Sequence, residues 1–233
     1  MEACSLHPFH PDAVRRYVES LPRLGQLGGN PKDRELNAIT YGLARFLSTE
    51  QPVFFHEGIS LSTLEARIDR AIGMLMRPPS RLFIDAGLDP ELARRLPIRL
   101  DLGAGRMGGA FIPARLISEF AGQLDAKLER MARRLADAEM DATTALALLA
   151  DAARYAGERG LGLYEAVDVG AADAPESFPE GAAVVIADRR RVDPMLRKRI
   201  EAALKPAKRP GLLTRAFGRG ARSEPESRRP PER

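Results

Sequence analysis

The chain has 233 residues, a formal net charge of +4 and 44% hydrophobic residues, so it is long and apolar enough to bury a core. A single cysteine excludes an internal disulfide framework and predicts a reducing, cytoplasmic compartment. No apolar run approaches the ~20 residues of a transmembrane segment, and the sequence does not start with the basic and apolar regions of a secretory signal.

The positive charge is concentrated towards the C-terminus. Residues 205–233 contain nine Lys and Arg against three Glu, a surplus of six, which leaves a net charge of −2 on residues 1–204. The segment 205–233 is rich in Pro, Gly and Arg and has little to bury. The sequence therefore predicts a single α+β domain over 1–204, with a possible sub-boundary near residue 97, followed by a disordered basic tail.

Helical periodicity dominates the first half of the chain. Amphipathic helices are predicted over 12–21, 31–48 and 62–77, and two short helices flank Gly87. The third of these helices begins at the capping box STLE, in which a Ser hydroxyl and a Glu carboxylate each bond a free amide. Before it, the run PVFF predicts a short buried strand.

The longest predicted helix spans about 114–140. Its apolar stripe has spacings of three and four residues and consists of Ile117, Phe120, Leu124, Leu128, Met131 and Leu135. A helix of this length would be ~40 Å long, so the stripe is expected either to pack within the chain or to pair with a second copy in a homo-oligomer. A helix over 142–158, the strands LYEAVDV and AAVVIA, and the helix DPMLRKRIEAAL complete a mainly helical α+β domain with a small sheet or hairpins.

The stretch RLDLGAGRMGGAF contains the pattern G-x-G-x-x-G at Gly103, Gly105 and Gly108. Such glycines let backbone amides approach a phosphate, with Arg106 available to pair with its charge. The segment GAGRMGGA resembles the N-terminal loop of NADP-dependent reductases such as the pyrroline-carboxylate and imine reductases, and LDLGAG resembles the first motif of S-adenosylmethionine-dependent methyltransferases. Each resemblance covers about a dozen residues and implies an enzyme that binds its cofactor at these four positions.

A β-hairpin is the competing interpretation of the same stretch. A dinucleotide-binding fold needs a second parallel strand ~20 residues further on, where this sequence has helical periodicity. A hairpin that pairs PIRLDL with AFI, followed by Pro113 at the start of the long helix, fits the residues without conflict. An intermediate interpretation is a simple anion held by the glycines and Arg106.

Cys4, His7 and His10 form the pattern C-x2-H-x2-H, and His56 is the remaining histidine of the chain. Thiolate and imidazole are ligands that zinc prefers, so these four residues form a candidate tetrahedral site. The competing expectation is an unliganded and partly disordered N-terminal segment.

Basic residues near the C-terminus form a candidate phosphate-binding strip, of the kind that counterion release drives. The strip consists of Arg189, Arg190, Arg191, Arg197, Lys198, Arg199, Lys205, Lys208 and Arg209. The competing expectation is a solvated tail. Because the sequence contains no P-loop, G-x-S-x-G or H-E-x-x-H motif, we expect a non-catalytic binding or assembly protein without a cofactor, which contacts nucleic acid or another polyanion. The alternatives are the nucleotide- or S-adenosylmethionine-dependent enzyme and a zinc-binding protein.

Overall fold

The computed structural model describes residues 3–21, 33–57, 61, 68–96, 110–167, 183–186 and 190–205. They form the predicted mainly helical α+β fold, built on a mixed five-stranded sheet. The strands are β1 (Ala3–Phe9), β2 (Val53–Glu57), β3 (Phe111–Ile112), β4 (Gly162–Val167) and β5 (Val184–Ile186). The helices are α1 (Pro11–Glu19), α2 (Asp33–Glu50), α3 (Arg70–Gly73), α4 (Pro79–Asp85), α5 (Pro90–Arg95), α6 (Ile117–Ala126), α7 (Leu128–Asp137), α8 (Ala142–Glu158) and α9 (Pro194–Leu204), with a 3-10 turn over Ala114–Leu116 before α6.

The sheet has the strand order β3-β4-β1-β2-β5. Its central strand, β1, is antiparallel to both neighbours, with Cys4 opposite His56 in β2 and His7 opposite Tyr164 in β4. Among the described strands, only β2 and β5 run parallel. The two strands that precede residue 97, β1 and β2, therefore lie between β4 and β5, which follow it, so one sheet joins both parts of the chain.

The position of β1 corrects the expectation of a disordered N-terminal segment. The strand is buried on both sides, because Leu6 lies in one apolar cluster and Phe9 lies in another. Pro8 is compatible with a central strand because the ladder between β1 and β2 ends at Leu6, so the missing N–H removes no bond to β2.

Helices cover both faces of this sheet. On one face, α6, α7 and α8 pack in a cluster that includes Leu6 and Leu163. On the other face, α1, α2, α4 and α5 pack in a cluster that includes Phe9 and Tyr164. Within the described ranges, none of these helices combines the length and the apolar character needed to cross a membrane.

The predicted helix over 114–140 is interrupted. After the 3-10 turn, α6 and α7 are separated at Lys127, whose φ of −113° and ψ of 7° are not helical. Every residue of the predicted stripe is at most 2% exposed and packs in the cluster on the α8 side of the sheet. The stripe is therefore used within the chain and presents no surface for the predicted self-association.

The predicted helix over 62–77 is not continuous. Asp69 is extended, with φ −151° and ψ 104°, and its side chain caps α3, which ends at Gly73. Residues 62–67 lie outside the described ranges. By contrast, α4 and α5 flank Gly87 as predicted, and the φ of 101° at this residue is one that glycine adopts readily.

The predicted hairpin partner of β3, the segment PIRLDL, lies outside the described residues. The run AFI does contain a strand, and Pro113 does precede a helical turn. The N–H of Phe111 donates a hydrogen bond to the carbonyl oxygen of Arg77 at 3.1 Å, and the carbonyl oxygen of Phe111 accepts one from the N–H of Arg77 at 2.9 Å. The other side of β3 pairs with β4. At Phe111 the outer edge of β3 is therefore occupied by Arg77 and is not open to the predicted hairpin partner.

Candidate functional site

The predicted cofactor loop lies outside the described residues, and with it Gly103, Gly105, Arg106 and Gly108. The structure does describe the elements that follow it. The next strand, β3, is antiparallel to β4, and the helices α6, α7 and α8 lead from β3 to this same antiparallel neighbour. A nucleotide-binding βαβ unit requires parallel strands, so the described elements after the loop give the enzyme alternative no support.

The predicted metal ligands are distributed over the sheet and the first helix. The register places Cys4 opposite His56, whereas His7 is fully buried and bonds to the backbone of α2. His10 caps α1, because its Nδ1 accepts a hydrogen bond from the N–H of Asp12 at 3.2 Å. In the part of the chain that the structure describes, no three His, Cys, Asp or Glu residues are grouped so as to hold a metal ion.

His7 belongs to a buried polar network. The hydroxyl of Ser5 lies 2.7 Å from Nε2 of His7, and the ring also hydrogen-bonds the backbone of Leu47. Opposite His7, the hydroxyl of Tyr164 is buried and has no hydrogen-bond partner among the described residues. A hydroxyl beside an imidazole is the arrangement of a nucleophile and its base. Because Ser5 and His7 are 1% and 0% exposed, however, a substrate does not reach them, and the pair is structural.

We expect protonation of His7 to cost the fold about 3 kcal/mol between pH 6.5 and pH 4. Burial lowers the pKa of His7 from 6.5 to about 4, because a low-dielectric interior disfavours the charged ring, while the bond to Leu47 opposes this with a smaller effect. The unfolded chain therefore binds more protons than the folded chain in this window. The contribution of neutral His7 to the free energy of unfolding is therefore fully present above about pH 6.5 and is lost as the pH decreases through this window.

Urea unfolding of the wild type and of a His7→Gln variant at several pH values measures this contribution. Carboxyl groups also titrate in acid, so the difference between the two proteins isolates His7. We expect the variant to be less stable than the wild type at pH 7. On acidification, its free energy of unfolding should decrease by about 3 kcal/mol less than that of the wild type. Parallel pH profiles would contradict a buried, neutral His7.

The described part of the basic strip lies on α9 and the turn before it. The carboxylate of Asp193 accepts a hydrogen bond from the N–H of Leu196 at 2.9 Å, and Pro194 takes the first helical position, as the sequence predicts. One residue of this helix, Ile200, is fully buried in the cluster that contains α7 and α8. The helix is thus packed on the folded body.

Arg199 attaches α9 to the two preceding helices. Its Nε lies 2.9 Å from the carboxylate of Glu129, and its two terminal nitrogens lie 2.5 Å from the carboxylate of Asp125 and 2.9 Å from the backbone oxygen of Asp125. The hydrogen bond from Arg199 lowers the pKa of Glu129, and the two carboxylates raise the pKa of Arg199. The charge of Arg199 is therefore balanced within the chain.

The other predicted cations differ in exposure. Within residues 190–205, the exposed cations are Arg190, Arg191, Lys198 and Lys205, and the exposed acids are Asp193 and Glu201. Arg197 is partly buried. The remaining predicted residues, Arg189, Lys208 and Arg209, lie outside the described ranges. The described surface thus carries a small excess of positive charge beside the point where the basic segment begins.

A buried ion cluster around Asp69 was not predicted from the sequence. Its carboxylate is 2% exposed, lies 3.2 Å from Nζ of Lys127 and is also bonded by the guanidinium of Arg130. Burial alone raises the pKa of Asp69, but the N–H of Ile72 and the charge of Lys127 outweigh this effect and hold the pKa below its usual value. The sequence signal was an acid next to Ile68 in the predicted amphipathic helix over 62–77.

The function has to be inferred from these residues, because no family model matches the chain and neither a curated protein nor a solved structure is detectably similar to it.

Proposed function

We propose that the chain is a non-catalytic binding protein whose basic C-terminal region contacts nucleic acid or another polyanion in the cytoplasm. The observation that carries this proposal is the separation of charge along the chain. Residues 1–204 have a net charge of −2, whereas residues 205–233 have a surplus of six positive charges. This basic segment begins directly where α9 ends at Leu204.

The helix α9 gives the basic segment a fixed starting point. Ile200 is buried, and Arg199 bonds to Asp125 and Glu129, so the helix is held against α6 and α7. We assign Arg199 to the positioning of α9 and not to phosphate contact, because its donors are used within the chain. The exposed cations Lys198 and Lys205 are left to face a partner.

Recognition by this region is expected to be electrostatic and independent of base sequence. Lys and Arg side chains neutralise phosphates and release the counterions condensed on them, which drives binding at low salt. Residues 205–233 contain a single aromatic residue, Phe217, so base stacking contributes little. A phosphate backbone, rather than a particular base sequence, is therefore the proposed ligand.

We expect the full chain to bind a fluorescein-labelled DNA duplex in an anisotropy titration. If about five phosphates are neutralised, the affinity should fall on the order of 10²–10³-fold between about 50 and 200 mM salt. Replacing Lys205, Lys208 and Arg209 together by Gln should weaken binding and make its salt dependence less steep, because fewer counterions are released. The salt series on the wild type and this triple variant measures both effects.

The matched control is a second triple variant with the same change in net charge, in which the exposed Arg94, Arg133 and Arg154 are replaced by Gln. These residues lie on α5, α7 and α8 and not in the basic C-terminal region. We expect this control to bind nearly as well as the wild type. Equal losses in the two triple variants, or no binding by the full chain at low salt, would contradict the proposal.

A further inference from the structure

A cavity of about 150 Å³ opens where β1 and β3 meet α1 and α4. Its apolar lining includes Phe9, Val14, Leu82 and Phe111, each at most 5% exposed. The rings of Phe9 and Phe111 meet edge to face with their centres 6.3 Å apart. An engineered protein cavity of about this volume takes up benzene, so the cavity matches a ligand body the size of one ring.

Charged side chains at the rim determine which ligand charge the cavity favours. Arg15, Asp85 and Arg115 all line it. Asp85 is paired with Arg81 at 2.7 Å, and Arg15 lies 3.6 Å from Asp12. Arg115 is exposed, and no carboxylate of the described residues lies within ion-pair distance of it. The rim therefore has one positive charge in excess.

We infer that this cavity binds a small monocarboxylic acid with an aromatic or branched aliphatic body. The body of the ligand fills the space beside Phe9 and Phe111, and its carboxylate accepts paired hydrogen bonds from the guanidinium of Arg115. A single excess cation matches a monoanion. Asp12 and Asp85 near the same rim disfavour a more highly charged ligand such as a nucleotide phosphate.

This site is independent of the proposed polyanion-binding region. Phe9, Val14, Leu82 and Phe111 belong to the apolar cluster on the α1 and α2 side of the sheet. Ile200 of α9 belongs to the cluster on the opposite side. The two binding properties can therefore be tested separately on the same full chain.

Titration of the full chain with benzoate, followed by NMR of the methyl groups of Val14 and Leu82, tests the inference. We expect saturable shifts with a dissociation constant on the order of 1 mM, as for a ligand with few non-hydrogen atoms. Benzyl alcohol is a neutral molecule of similar size and should bind about tenfold more weakly, because it lacks the charge-assisted bond. An Arg115→Gln variant should lose about tenfold in benzoate affinity and keep its affinity for benzyl alcohol.

Two further variants complete the experiment. Arg133→Gln changes an exposed arginine of α7, on the other side of the sheet, and should leave benzoate binding unchanged. Ala114→Leu adds bulk at the partly exposed rim and should weaken both ligands. Shifts that do not saturate, or an Arg115→Gln variant that distinguishes benzoate from benzyl alcohol as well as the wild type does, would overturn the inference.

Discussion

Replacing Leu128 by Ala is expected to lower the free energy of unfolding by about 2–5 kcal/mol. Leu128 is 1% exposed, begins α7 and packs in the cluster that α6, α7 and α8 form on one face of the sheet. The truncation removes apolar contacts and leaves a cavity that the surrounding helices fill only in part. Urea unfolding followed by far-UV circular dichroism measures the loss.

The matched control is Leu204→Ala at the end of α9, where the same side chain is 38% exposed. Its expected effect is within about 0.5 kcal/mol. The same experiments also decide between packing and self-association. A stripe that packs within its own chain gives an unfolding midpoint independent of protein concentration, whereas a stripe that joins two copies gives a midpoint that rises with concentration. A concentration-dependent midpoint together with a negligible effect of Leu128→Ala would contradict the packing described above.

Signals carried by a few adjacent residues predicted much of the helical part of the fold. Asp89 with Pro90, and Asp193 with Pro194, mark the beginnings of α5 and α9, which are both predicted helices. Such caps are local, since a side chain bonds an amide two or three residues further along the chain. The strands β2, β4 and β5 were also predicted, in the runs PVFF, LYEAVDV and AAVVIA.

The central strand and the helix interruption could not be predicted in the same way, because distant residues determine them. β1 contains Ser, His and Pro, and becomes a strand through its pairing with β2 and β4, about 50 and 160 residues further along. The interruption at Lys127 occurs where this side chain reaches Asp69, 58 residues earlier. A period of three and four residues predicts an apolar face but does not predict where a helix is broken.

The candidate sites show the same limit. Composition alone predicted the basic C-terminal region. It could not show that Arg199 is paired with acids of the same chain whereas Lys198 is exposed. The acids that bind Arg199 lie 70 and 74 residues earlier in the chain. The cavity beside Phe9 and Phe111 joins residues about 100 positions apart and has no local sequence signal. What a charged residue does in this chain is therefore decided by its partners in the fold.

Replacing Asp69 by Asn is expected to destabilise the fold by about 3 kcal/mol, near the lower end of the range for breaking a buried ion pair. The carboxylate of Asp69 is 2% exposed and its partner Lys127 is 20% exposed, so the variant leaves an uncompensated cation in a largely buried position. The second partner, Arg130, is half exposed and can turn to water, which keeps the loss moderate. Thermal and urea unfolding measure the effect.

Two comparisons separate the roles of Asp69. The carboxylate of Asp69 accepts hydrogen bonds from the N–H groups of Ala71 and Ile72 at 3.0 and 3.2 Å, and an Asn oxygen can still accept them. Because Ala cannot, Asp69→Ala should cost about 1 kcal/mol more in the free energy of unfolding than Asp69→Asn. Asp151→Asn is the control for an exposed ion pair, because Asp151 and Arg154 are 2.9 Å apart and both side chains are more than half exposed. This variant should change the free energy of unfolding by no more than about 0.5 kcal/mol.

A double-mutant cycle with Lys127→Met then tests whether the buried charge pair itself carries the loss. In the Lys127→Met background only the half-exposed Arg130 still loses its ion pair with residue 69, so Asp69→Asn should cost on the order of 1 kcal/mol less than in the wild type. An unchanged cost in that background would show that the pair between Asp69 and Lys127 does not account for the loss. A cost equal to that of Asp151→Asn would show that the ion cluster does not hold α3 against α7.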